Sequence, residues 1–116
     1  MAQFVLFMRG SAAGFAKMTP EQIQQVIQKY ESWARQLVGQ GKLRGGEKLQ
    51  DDGGRAVRLQ NGKLVIDGPF PETKETIGGY YVVESKDYDE AIEIAKGCPI
   101  FSSGGTVEVR QVEPQH

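Results

Sequence analysis

A chain of 116 residues with 14 basic and 15 acidic side chains, net charge -1, is sized for one domain. It has no cationic surplus to release counterions from DNA or RNA, so nucleic-acid binding is not expected. One cysteine and one histidine, the latter at position 116, exclude an internal disulfide framework, a multi-cysteine metal site and most histidine chemistry. No apolar run approaches the roughly 20 residues of a spanning helix, and the opening stretch lacks the basic flank of a secretion signal, so neither membrane insertion nor secretion is expected.

Residues 3–8 are apolar on both alternating faces, the pattern of a central strand covered on each side. Thr19-Pro20-Glu21-Gln22 predicts a helix start, with a hydroxyl N-cap, proline where no donor is lost, and Gln22 placed to close a capping box. Ile23, Val26, Ile27, Tyr30, Ala34 and Leu37 recur at three- and four-residue steps as its apolar stripe. Trp33 and Val38 edge that stripe, and Gly39 and Gly41 end the helix.

Residues 43–49 read as a short strand interrupted by Gly45-Gly46, ahead of a turn at Asp51-Asp52-Gly53-Gly54. Residues 55–60 and 63–67 flank Asn61-Gly62, the strongest two-residue hairpin signal. That turn sets the register: Leu59 faces Leu64 and Val57 faces Ile66 on an apolar side, while Arg58, Gln60, Lys63 and Asp67 share the other. A further strand is expected over 79–84. Asp87 then caps a second helix with Tyr88, Ala91, Ile92 and Ala95 as its stripe, stopped by Gly97 and Pro99, and residues 106–112 alternate as a last strand.

This order suits an α+β fold of ferredoxin-like type, β-α-β-β-α-β with an inserted hairpin and an antiparallel sheet, as a single domain over 1–112 with a polar tail at 113–116. Two helices cover only one face of such a sheet. Apolar residues pointing the other way, with members of the pairs Phe4/Leu6 and Tyr81/Val83 expected among them, need a second cover. A copy of the same sheet is the simplest one, so a homodimer is expected.

The unusual segment is Asp67-Gly68-Pro69-Phe70-Pro71-Glu72-Thr73-Lys74-Glu75. Its two prolines fix φ and push Gly68 and Phe70 toward extended conformations, which stiffens the loop. Asp67, Glu72 and Glu75 with Lys74 are suited to holding a small ligand or transferring a proton. Equally, Asp67 lies diagonal to Arg58 across the hairpin and is placed to pair with it, leaving the other charges solvated. Cys98, after a helix C-terminus, reads as a packed thiol. Asp51 and Asp52 read as a turn in preference to a calcium loop. The glycines at 39, 41, 45 and 46 do not form a phosphate-binding pattern.

The 67–75 segment, followed by Gly78-Gly79-Tyr80, the Asp89-Glu90-Ala91 helix leading into Gly97-Cys98-Pro99 and the strand from Gly105 to Arg110, resembles the signature of the DGPF branch of the YCII-related family. The resemblance implies a bacterial cytoplasmic protein of the dimeric α+β barrel type, two ferredoxin-like sheets facing each other around a cleft. Many such proteins are encoded beside extracytoplasmic-function sigma factors. Better understood YCII-type relatives are proposed to use a histidine with an aspartate in the cleft. Here the only histidine is His116, in the tail, so that dyad is missing and a haem ligand is missing with it.

Asp67 is therefore the candidate catalytic acid or base. Arg9, Gly68, Pro69, Phe70, Glu72, Thr73, Lys74 and Glu75 are the candidate ligand-binding rim, and no metal or cofactor is expected. Two functions stand on this reading: binding of a small molecule, with acid–base chemistry, in an inter-subunit cleft, or a non-catalytic regulatory module working with a sigma factor or a stress-response partner. The first calls for a pocket where Asp67 or Glu72 converges with Lys74 or Arg9, the second for a filled barrel and an exposed apolar patch elsewhere.

Overall fold

A computed structural model of the chain describes residues 1–11, 13–71 and 74–114. Its elements run β1 (Ala2–Gly10), α1 (Ala13–Ala16), α2 (Pro20–Gly39), β2 (Leu43–Lys48), β3 (Ala56–Gln60), β4 (Lys63–Asp67), β5 (Thr76–Ser85), α3 (Tyr88–Ala95), a 3-10 helix (Pro99–Ser103) and β6 (Thr106–Gln111). Four strands form one antiparallel sheet in the order β2-β5-β1-β6, and β3 with β4 form a separate two-stranded sheet. With the hairpin set aside, this is the ferredoxin-like arrangement.

Local signals account for where the helices begin. The Gln22 amide donates to Thr19 Oγ1 at 3.2 Å while the Thr19 amide donates to Gln22 Oε1 at 2.9 Å, closing the capping box. At α3 the Glu90 amide donates to Asp87 Oδ1 at 3.0 Å. The faces these helices bury differ from the periodicity reading. In α2 the buried residues are Val26, Trp33 and Leu37, so Trp33 is central and Ile27 stands 44% exposed. The reason is tertiary: the indole stacks on Tyr81 with centroids 5.0 Å apart and planes at 18°, which turns the helix toward Trp33. In α3, Ile94 is buried in place of Ile92. Tyr88 lies at the edge, its ring against Phe4 and its hydroxyl accepting from the Gln111 amide at 2.8 Å. Strand β5 starts three residues earlier than expected, because Thr76 and Ile77 pair with Gly10 and Arg9 beyond a bulge.

The core lies between the sheet and α2 and α3. Phe4, Leu6 and Val83 are fully buried there, with Met8, Trp33, Leu37, Ala91, Ile94, Cys98 and Ile100 around them. The expectation that Phe4/Leu6 and Tyr81/Val83 would supply the second face is corrected by this register. Phe4 pairs with Val83 and Leu6 with Tyr81, all on the helix side. Alternation sends Val5, Phe7, Tyr80 and Val82 to the opposite side. None of these four is buried, and among the described residues no strand or helix packs across that face to any extent.

The Asn61-Gly62 turn has φ of 52° and 77°, and the hairpin register is the expected one, with Leu59 opposite Leu64 and Val57 opposite Ile66. The chain spans 47 × 46 × 19 Å with a radius of gyration of 16.0 Å, against about 13 Å for a compact domain of this length. It is a slab, one sheet and one helix layer thick, lengthened by the hairpin. No helix among the described residues is long and apolar enough to cross a membrane.

Candidate functional site

Three groups of residues carry the expected chemistry. The first is the segment after β4. Arg58 Nε donates to Asp67 Oδ2 at 2.7 Å, the diagonal hairpin pair, with both side chains about half exposed. Gly68 is not extended as expected: its φ is +114°, and a Cβ built there would lie 2.6 Å from the Gly54 carbonyl oxygen and 3.2 Å from Arg55 Cα. The contact is reciprocal, because a Cβ on Gly53, at φ +80°, would lie 2.8 Å from the Phe70 carbonyl oxygen. Only glycine allows the two loops to meet backbone to backbone in this way. Lys74 Nζ then sits 3.9 Å over the Phe70 ring, and the Lys74 amide donates to the Pro71 carbonyl at 3.0 Å. Asp67, Gly68, Phe70 and Lys74 thus form a clamp at the base of the hairpin.

The second group surrounds a cavity of about 50 Å³ at the Gly10 end of β1, lined by Ser11, Asp51, Lys74, Thr76 and Ser103 with Phe15 and Ile100. It has room for ordered water. Lys74 and Pro71 reach it, but Asp67 and Arg9 are not among its lining residues.

The third group lies on the open sheet face. Arg9 Nη1 donates to Glu108 Oε1 at 3.3 Å, Arg9 Nε stands 3.6 Å from Glu75 Oε1, and Arg110 Nη1 stands 3.5 Å from Glu108 Oε2. The Nε atom itself is buried and has no hydrogen-bond partner. This chain of alternating charges borders the apolar surface of Val5, Phe7, Tyr80 and Val82. Toward the opposite end of that face, Arg44 Nη2 donates to Glu84 Oε2 at 2.7 Å.

The structure therefore brings Arg9 to Glu75 and Lys74 to Phe70, and sets Asp67 apart on the hairpin with Arg58. Glu72, Thr73 and His116 lie outside the described residues. Glu108 and Arg110 are members of the open-face group that sequence reasoning missed. Their shared strand face was legible, but their approach to Arg9 depends on β6 lying beside β1. Cys98 is buried against Tyr30, and burial pushes its thiol pKa upward, which suits packing and not nucleophilic attack. Burial also raises Tyr30 and Tyr81, with the neighbouring Cys98 adding to both.

Comparison with known proteins identifies the family. The YCII-related domain matches residues 2–115. An uncharacterized protein of Rhizobium meliloti (strain 1021) is 33% identical over 93 residues, covering 78% of this chain and 75% of the relative. A match that extends from the first strand to the tail, on a fold with the ferredoxin-like strand order, places the chain in the YCII-related family.

Proposed function

We propose that the chain works as a homodimer whose open sheet faces meet to enclose a cleft for a small molecule, with Arg9 and its carboxylate neighbours as the polar groups that orient it. The observation that carries this reading is the open face itself. Val5, Phe7, Tyr80 and Val82 form an apolar floor that no strand or helix among the described residues covers, and a buried Arg9 Nε without a hydrogen-bond partner stands beside it. Apolar walls with a few convergent polar groups are what small-ligand sites are made of. Arg9 supplies fixed donors, while Glu75 and Glu108 supply carboxylates for accepting or moving a proton. Glu75 brings the end of the segment after β4 to this cleft through Arg9, while Asp67 stays on the hairpin with Arg58.

A thermal-shift screen of metabolites on the purified protein tests this, since a ligand at about 100 times its Kd raises native stability by about 2.7 kcal/mol. At least one compound is expected to raise Tm, and Arg9→Gln is expected to abolish that rise while leaving the fold intact. A ligand indifferent to Arg9→Gln, or a panel with no binder, contradicts the reading. The second outcome favours the regulatory module, for which the exposed hairpin is the available surface.

A further inference from the structure

The β3–β4 hairpin is the other feature that the chain leaves unfinished. Val57, Leu59, Leu64 and Ile66 share one side of it and are 64%, 69%, 74% and 70% exposed. The other side carries the Arg58–Asp67 and Arg58–Gln60 hydrogen bonds and Lys63, with Val65 and Ala56 among them, so the larger apolar side of the hairpin is the one that faces water. Among the described residues it makes no more than isolated contacts with any strand or helix outside itself. A two-stranded hairpin alone is marginal in water and gains independent stability only by packing. The clamp of Gly53 and Gly68 nevertheless holds its two legs together at the base, and the Asn61-Gly62 turn fixes its register. A pinned, register-locked apolar ribbon is built to meet a surface.

We infer that this hairpin is an arm that packs its Val57/Leu59/Leu64/Ile66 side onto a second copy of the chain. The inference rests on the dimer proposed above and goes beyond it, since that dimer needs only the sheet faces. The exposed area is enough for a second copy. A compact chain of 12.8 kDa exposes about 6,300 Å², and this one exposes 8065 Å², an excess of about 1,800 Å². A stable dimer of standard size needs about 800 Å² from each partner, so the excess exceeds what a minimal contact between sheets takes up. The position agrees. The arm is inserted between β2 and β5, the two strands at one edge of the sheet, so it leaves the domain from an edge that the open face also reaches. Symmetry then gives each copy one arm to donate and one to receive.

The test is a Leu59→Asp/Leu64→Asp variant compared with the unaltered protein by sedimentation across a concentration series. Both leucines are already in water in the single chain, so the substitution spares its core. The expected result is a dimer dissociation constant raised by at least about tenfold. A second readout is hydrogen exchange of the hairpin amides at concentrations above and below that constant, with protection expected only above it. If the unaltered chain is a dimer and the variant dimerises equally well, with hairpin exchange independent of concentration, the arm is overturned and the sheet-face dimer stands. If the unaltered chain is a monomer whose hairpin binds only a different protein, both readings fall.

Discussion

Gly68→Ala is the sharpest probe of what the Asp67–Phe70 segment does. The added methyl would sit 2.6 Å from the Gly54 carbonyl oxygen and 3.2 Å from Arg55 Cα, at a φ of +114° that side chains rarely adopt. Backbone strain of this kind costs about 1–3 kcal/mol. Relieving the overlap costs roughly a further 1–3 kcal/mol, the usual scale for inserting a methyl where there is no room. The total exceeds what a two-stranded hairpin holds by itself, so the loss is expected to be local. Residue-resolved hydrogen exchange reads it directly. Measured above the dimer dissociation constant, where the hairpin amides are protected, a loss of about 2 kcal/mol should speed exchange of the β3 and β4 amides about 30-fold, while Phe4, Leu6 and Val83 in the main sheet keep their protection. Asp67→Asn is the paired control. It keeps an oxygen for Arg58 Nε and removes only a half-exposed charge pair, costing less than about 1 kcal/mol. Hairpin exchange within threefold of the parent in Gly68→Ala, or a larger effect in Asp67→Asn, would refute the clamp.

Two other predictions concern the buried thiol and its neighbours. Tyr30, Tyr81 and Cys98 all bind their protons more tightly in the fold than in the unfolded chain, chiefly through burial. Their contribution to stability is therefore complete below the ordinary values of 9.0 for cysteine and 10.0 for tyrosine, and is lost as pH rises through the raised native values. Urea midpoints should fall steadily above pH 9 and fall less steeply in Tyr30→Phe; a flat profile to pH 11 contradicts the burial of these groups. Cys98, at 4% exposure, should resist a thiol reagent in the native protein and react at once in urea, and rapid native labelling would contradict its packing.

What could be read from the residues alone was what depends on neighbours in sequence. The Thr19–Gln22 capping box spans four residues and the Asn61-Gly62 turn two, so helix start and hairpin register follow from local chemistry. The rotation of α2 does not. A stripe at helical spacing leaves neighbouring orientations close in energy, and the stacking of Trp33 on Tyr81, 48 residues away, selects one. In β1 both faces are apolar, so Phe4-Val5-Leu6-Phe7-Met8 carries no sign of which set meets the helices until Val83 and Gly79 are placed opposite. The same holds for the site. The stiffness of the 67–75 segment was legible, but its cause, Gly68 against Gly54 and Gly53 against Phe70, joins two loops. The Arg9–Glu108 pair spans 99 residues and follows only from strand order.

The mass of the unaltered protein in solution, measured by light scattering or sedimentation at micromolar concentration, bears most directly on the whole account. A particle of about 25.6 kDa, twice the 12.8 kDa chain, is the predicted result, with Val5, Phe7, Tyr80 and Val82 withdrawn from water. A particle of 12.8 kDa throughout that range would show that the open face stays wet, and the cleft and the arm would both be lost.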